Sequence, residues 1–533
     1  MTLHRRGFLV AGGSAALIAA TNPLPDRVVQ VTGGKVSGIA TATPGVSAWL
    51  GIPFAAPPVG RLRWRTPKSV VPWQGVRKAD RFSLSPCQMP QGPKSLFATR
   101  PVETGEDCLT VNVWAPTRPS VRPRPVMVWI YGGAYVAGTT DNEWYDGAHL
   151  AQQDVVFVSL NYRVGILGFF AHPELSAESP DGVSGNYALH DQVAALRWIR
   201  DNIAAFGGDP DNVTIMGQSA GAFSVAFHLV MPQSRGLFHR AVVESGAPMG
   251  PLNSLSMISD FRQMEADGVT FARKVGAANL AELRAMDPMT LVKAYAGTWN
   301  FNPALDGKLI PEHPFAAMQS GRHADVPLIA GFNANEGNVF PTFGGGTPEG
   351  LNAVIGAYYG SETEAARRHF ASTTPTEAVT HGREVFGDLI FDWNTTALAK
   401  AAAQHGRSPV YFYHYAFLES LDPAVAFTEG DAASLGAYHG AEIGYALRNP
   451  NAVPGRLDGP RQRFMTEMLS RYWLNLARAG NPNGESLPQW SPYVPGSATV
   501  LHIDAERTAM GPAVFGDRLA LLSKAYDDAS GPA

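Results

Sequence analysis

The spacing of apolar positions changes period repeatedly along the chain, and each change marks an element. Val126-Met127-Val128-Trp129-Ile130-Tyr131 is apolar throughout and Val155-Val156-Phe157-Val158-Ser159-Leu160-Asn161-Tyr162 nearly so, the pattern of strands covered on both faces. Leu109, Val111 and Val113 alternate with polar neighbours, which predicts a half-buried strand. Leu189, Val193, Leu196, Ile199, Ile203 and Phe206 recur at three- and four-residue intervals, predicting an amphipathic helix that ends at a Gly207-Gly208-Asp209-Pro210 turn. Val213-Thr214-Ile215-Met216 then reads as a strand, residues 222–227 as a helix, residues 28–31, 240–245, 327–332 and 410–415 as further β-like runs, and residues 461–479 as another helix. Residues 49–60 carry prolines that argue for an ordered loop. Strand, helix, strand in succession implies parallel crossovers, so the expected class is α/β with a large, mostly parallel central sheet flanked by helices. The mixed helical stretch between residues 245 and 327 is expected to cap the site. No internal repeat interrupts this pattern.

Composition narrows the functional classes. The balance of 42 basic and 46 acidic side chains leaves a formal charge of −4, which offers no surface for a polyanion and excludes nucleic acid as an expected partner. The 55 glycines and 41 prolines imply many shaped loops, where a site would sit. His4-Arg5-Arg6 followed by an apolar run from Val10 to Ala20 reads as an export signal of the twin-arginine type, too short to span a bilayer. The fold is therefore expected from residue 27 to 533 as one catalytic domain, exported to a periplasmic or secreted location. Two cysteines, Cys87 and Cys108, stand 21 positions apart, and in an exported protein an even count invites a disulfide.

The strongest chemical signal is Gly217-Gln218-Ser219-Ala220-Gly221, a Gly-x-Ser-x-Gly run between a predicted strand and a predicted helix. Such an elbow holds its serine in a strained turn at the strand's end, and the helix that follows aims free amides at the same place. The amide of Ala220 then becomes a donor to an oxyanion forming beside Ser219. Gly132-Gly133-Ala134 directly follows a predicted central strand, where backbone amides can complete that donor set. Downstream, Glu336 follows the strand at 327–332 and His439 lies between small residues, giving the order serine, acid, histidine. Residue patterns alone do not separate His439 from His369, His381, His405, His414 and His502, nor Glu336 from Asp306, Asp325 and Asp392.

With these runs in place, the chain resembles the type-B carboxylesterases, the α/β-hydrolases that include para-nitrobenzyl esterases and cholinesterases. The resemblance extends from about residue 28 to about 495 and rests on Leu50-Gly51-Ile52-Pro53-Phe54-Ala55, Glu106-Asp107-Cys108-Leu109, Tyr131-Gly132-Gly133-Ala134, Asn161-Tyr162-Arg163-Val164-Gly165, Phe206-Gly207-Gly208-Asp209-Pro210, Asn335-Glu336-Gly337 and His439-Gly440-Ala441-Glu442. It implies the α/β-hydrolase fold, with Ser219 as nucleophile, His439 as base, Glu336 as its orienting acid, and the amides of Gly133, Ala134 and Ala220 as oxyanion donors. It also implies a hydrogen bond from Ser245 to Glu336, an Arg63–Glu106 pair and a Cys87–Cys108 bridge.

Two departures shape the expected specificity. Gln218 stands where many relatives carry glutamate, which removes a charge that would favour cations. Residues 88–107 hold no tryptophan, whereas cholinesterases place a choline-binding indole in that loop, so a cholinesterase is rejected. The expected activity is hydrolysis of small to medium neutral carboxylic esters through an acyl-enzyme, without metal or cofactor. A lipase acting at interfaces is the rival within enzymes, and a non-catalytic binding protein on the same fold is the rival outside them. The sequence leaves the oligomeric state open.

Overall fold

The computed structural model describes residues 28–530 apart from 99, 101, 254, 297–300 and 498. The expected export segment lies outside the described residues. Eleven strands form one sheet. In chain order they are β1 (Ile39–Ala40), β2 (Val46–Pro53), β3 (Thr110–Pro116), β4 (Arg124–Ile130), β5 (Val156–Leu160), β6 (Gly208–Gln218), β7 (Arg240–Glu244), β8 (Leu328–Asn333), β9 (Val410–Tyr415), β10 (Thr499–Ile503) and β11 (Ala509–Pro512). Across the sheet they run β11-β10-β9-β8-β7-β6-β4-β5-β3-β2-β1. Neighbours from β5 through β4 and β6 to β10 are parallel. The remaining pairings, toward both edges, are antiparallel.

The parallel centre forms because its strands are covered on both faces: every residue of β5, β8 and β9 is buried. Val128 sits in register between Val158 and Ile215, and Val242 between Met216 and Ile329. Helix α1 (Tyr187–Asn202) crosses from β5 to β6 with Leu189, Val193, Leu196 and Ile199 inward, and α2 (Ala220–Val230) leads from β6 toward β7. Buried apolar side chains from Val29 to Leu522 make one continuous cluster.

The chain leaves β4 for β5 on one side and returns to lay β6 on the other. That reversal opens a crevice at the carboxyl ends of β4 and β6, where open α/β sheets bind ligands. Tyr131-Gly132-Gly133-Ala134 follows the first of these strands and Ser219 the second.

Three local expectations are corrected. Residues 46–53 form a strand, because the prolines begin only at its last position and Gly51, with φ 71°, absorbs a bulge between Trp49 and Ile52. Strand β3 is buried on both faces, since its inward polar residue Asn112 is satisfied by the Gly51 amide at 2.8 Å and Ser159 Oγ at 3.1 Å. The predicted turn at 207–210 shrinks to Gly207 alone (φ 80°), and β6 begins at Gly208 beside Arg124.

Candidate active site

The elbow's shape follows from its small residues. A Cβ at Gly221 would stand 2.0 Å from the Ile130 carbonyl oxygen, so only glycine lets α2 start against β4. Ser219 takes φ 57° and ψ −129°, outside the regions open to an unstrained side-chain-bearing residue. Its amide donates to the Glu244 carbonyl at 3.0 Å, and its own carbonyl accepts from Phe223 N at 2.9 Å. Ser219 is the one residue of the five-residue elbow that keeps partial exposure.

The glycine turn after β4 lies directly against this serine. A Cβ at Gly132 would fall 3.0 Å from Ser219 Cβ. Gly133 (φ 110°) and Ala134 (φ 53°) are both left-handed and partly exposed, and the Gly133 carbonyl is turned back to accept from Val136 N and Ala137 N, each at 3.0 Å. Ala220 occupies the first position of α2, where the amide has no intrahelical acceptor. The glycine turn and the first turn of α2 thus lie on either side of Ser219.

Glu336 and His439 meet. His439 Nδ1 lies 2.6 Å from Glu336 Oε2, and both side chains are buried. Glu336 opens a short 3-10 turn after β8, and its Oε1 accepts from the Asn333 amide at 2.6 Å. The loops are zipped together: Asn335 N donates to the Ala437 carbonyl at 3.0 Å, Ala437 N to Asn335 Oδ1 at 2.9 Å, and Asn333 Nδ2 to the Tyr438 carbonyl at 2.7 Å. A buried Arg456–Glu419 pair grips both sides of the histidine, with Arg456 donating to the Ala441 carbonyl at 3.1 Å and Glu419 accepting from Tyr438 Oη at 2.7 Å.

With Nδ1 donating to a carboxylate, Nε2 of the neutral ring carries the free lone pair. That nitrogen is 3.0 Å from Gln218 Nε2, the side chain next to Ser219. Among the described residues no hydrogen bond joins Ser219 Oγ to the ring; the Gln218 amide meets that nitrogen instead. Gln218, expected only as a missing charge, therefore touches His439 itself.

Several residues of the site carry no sequence signal of their own. Phe391 stacks on His439 at 4.2 Å between ring centroids and 27° between planes, and Phe340 lies at 5.2 Å. Phe391 stands in a π-turn, Asp388–Asp392, between α3 (Pro375–Gly387) and α4 (Trp393–His405). Such turns aim side chains that a regular helix would direct elsewhere. Below the site, burial pushes Glu244 up to about 8, and burial together with Glu244 and Glu336 pushes Glu442 well above the carboxylate range.

Two expectations fail here. Ser245 does not bond Glu336: its hydroxyl has no partner among the described residues, and both oxygens of Glu336 are engaged by the Asn333 amide and the imidazole. Cys87 and Cys108 are both free and buried, lining one small void with Arg63 and Glu106. Burial, with Glu106 adding to it, pushes the Cys87 thiol up to about 11, and burial holds the Cys108 thiol well above its usual range, so both favour the protonated thiol over the thiolate that disulfide exchange requires. The Arg63–Glu106 pair is present, bidentate at 2.6 Å for each bond.

The sequence model of the carboxylesterase family matches residues 25–521. The chain belongs to the carboxylesterase family. Within that family it is 34% identical over 496 residues to the fumonisin B1 esterase of Sphingopyxis macrogoltabida, covering 90% of this chain and 87% of the relative. It is 34% identical over 501 residues to the para-nitrobenzyl esterase of Bacillus subtilis (strain 168), covering 90% and 96%. A solved structure of PNB esterase superposes with a TM-score of 0.80 at 30% identity, covering 93% of this chain and 99% of that one. The fold is the α/β-hydrolase fold and the activity is carboxylic ester hydrolysis. No helix among the described residues is long and apolar enough to cross a membrane.

Proposed function

We propose that this carboxylesterase works through Ser219 as nucleophile, His439 as general base and acid, and Glu336 as the group that orients the imidazole. The observation that carries the reading is the 2.6 Å bond from His439 Nδ1 to Glu336, which leaves Nε2 unprotonated and facing the elbow. A small torsion of Gln218 releases Nε2 to the neighbouring serine. Ser219 Oγ then attacks the ester carbonyl while its proton passes to Nε2, and that proton goes on to the departing alkoxide, leaving an acyl-serine. Water enters, gives a proton to Nε2, and attacks the acyl carbon. Collapse of the second tetrahedral adduct returns the proton to Ser219 and releases the acid. Glu336 stabilises the imidazolium in both halves, and the amides of Gly133, Ala134 and Ala220 receive the oxyanion, each worth about 3–4 kcal/mol at the transition state.

The substrates we assign are neutral carboxylic esters of small to medium size. Support comes from the amide of Gln218 in place of a carboxylate and from the aromatic faces of Phe340 and Phe391 beside the base. Relatives of equal identity are named for fumonisin B1 and for para-nitrobenzyl esters, so one family scaffold serves different esters. We also read residues 27–533 as one catalytic unit, supported by the single core, and residues 1–20 as an export signal. Replacing Ser219 by Ala tests the central assignment: turnover of a short-chain chromogenic ester is expected to fall about 10⁴-fold or more. Undiminished turnover would overturn it.

A further inference from the structure

Behind the glycine turn runs a chain of buried polar side chains that the acyl transfer does not touch. Tyr135 directly follows Ala134, is fully buried, and is itself left-handed at φ 60°. Its hydroxyl is 3.1 Å from Ser224 Oγ on α2, and Ser224 Oγ donates to the Ala220 carbonyl at 2.9 Å. Gln192 Nε2 on α1 donates to Ser224 Oγ at 3.1 Å. Gln192 Oε1 is 3.1 Å from His228 Nε2, and His228 Nδ1 is 2.8 Å from Ser234 Oγ. Ser224, Gln192, His228 and Ser234 are all fully buried.

Donor and acceptor capacity fixes the direction of every bond. Ser224 has one hydroxyl hydrogen, and it goes to the Ala220 carbonyl, so Gln192 and Tyr135 must both donate to its oxygen. Gln192 Oε1 only accepts, which puts the proton of His228 on Nε2 and makes Nδ1 the acceptor for Ser234. Burial keeps this histidine neutral by pushing it down to about 3, as the single direction requires. No two donors compete for one site. A network satisfied in this way is rigid, because each member has one arrangement only.

We propose that Tyr135 and Ser224 are positioning residues that hold the two halves of the oxyanion hole in register. This rests on the reading of Gly133, Ala134 and Ala220 as the oxyanion donors. Those donors come from different elements, the turn after β4 and the first turn of α2. Two hydrogen bonds in series, Tyr135 Oη to Ser224 Oγ to the Ala220 carbonyl, join the residue after one half to a residue of the other. Consecutive left-handed residues bearing side chains, Ala134 and Tyr135, persist only where their surroundings fix them. The buried phenol is such a fixing point. Without it the turn is free to relax, and the amides lose aim at an oxygen that becomes an anion only in the transition state.

Tyr135→Phe removes one hydroxyl and no packing volume, which makes it the deciding variant, with Ser224→Ala and the double variant beside it. Each is compared with the parent for kcat and KM on a short-chain chromogenic ester, for inhibition by a trifluoromethyl ketone that forms an oxyanion adduct on serine, and for melting temperature. Tyr135→Phe is expected to lower kcat about tenfold and raise the ketone inhibition constant about tenfold, with KM changed less than about twofold. The double variant should be no worse than Ser224→Ala, since both break the same bridge. Parent values of kcat and of ketone inhibition in Tyr135→Phe would overturn the inference, whether or not the melting temperature falls. Ser219→Ala in the same assay separates the two levels of the argument. If it stays active, the underlying assignment has failed; if it is inactive while Tyr135→Phe behaves as the parent, only the positioning role has failed.

Discussion

The side chain beside Ser219 is an amide, and it reaches the His439 nitrogen to which the proposed mechanism delivers the serine proton. A carboxylate at the same place would set a negative charge against the ring; the Gln218 amide is neutral and donates to the ring nitrogen. The Gln218→Glu variant is therefore expected to raise kcat/KM about tenfold for esters of cationic alcohols relative to neutral ones, because the new charge attracts the cation. An unchanged ratio of cationic to neutral turnover would show that position 218 does not face the bound alcohol in solution. The residue scale is also where the sequence was least informative. Gln218 was visible as a departure, yet its contact with His439 depends on a loop 221 positions away. The expected bond from Ser245 to Glu336 is absent among the described residues, and the Asn333 amide donates to that carboxylate at 2.6 Å instead.

Element geometry explains why the elbow was legible and its surroundings were not. Gly217 and Gly221 are dictated by contact: a Cβ at either would strike the Ile130 carbonyl, at 2.6 Å and 2.0 Å. Local sequence therefore reports a long-range constraint, and the motif could be read without coordinates. Gly221→Ala is expected to abolish soluble folded protein or cost several kcal/mol, since a methyl group cannot enter a closed backbone contact. Recovery of a folded variant with parent melting temperature would contradict the close approach of α2 to β4. The central strands were equally legible because burial on both faces leaves continuous apolar runs. Strand β2 was not, because prolines near its end masked it and its bulge at Gly51 breaks the alternation. The π-turn that delivers Phe391 to His439 leaves no periodic trace, being one extra residue inside a helical run.

Over the whole molecule, the number of buried ionisable groups stands out. Arg163–Asp191 and Arg456–Glu419 are fully enclosed pairs. Arg518, on the C-terminal helix α5 (Gly516–Ser530), meets Asp388 at 2.8 Å and Asp392 at 3.3 Å, tying that helix to the π-turn. One guanidinium cannot neutralise two carboxylates, and burial raises both, Asp388 to about 6 and Asp392 well above its usual range. Glu244 behaves likewise, raised by burial from 4.5 to about 8. Between those two values the folded protein keeps a proton that the unfolded chain has released, so the stability linked to this group falls as pH rises through that window. The melting temperature is expected to decline from about pH 5 to about pH 8, and Glu244→Gln, which keeps an acceptor for Trp473 Nε1, should flatten the decline. An unchanged slope in the variant would contradict a protonated Glu244.

Which atom forms the covalent bond to the acyl group is measured by mapping the residue modified by a fluorophosphonate probe. Intact mass should rise by one probe per chain, peptide mapping should place it on Ser219, and labelling should disappear in Ser219→Ala and slow by about 100-fold or more in His439→Ala. A probe that inactivates the enzyme from another residue, or hydrolysis that persists once Ser219 is fully modified, would contradict the assignment of Ser219 as nucleophile.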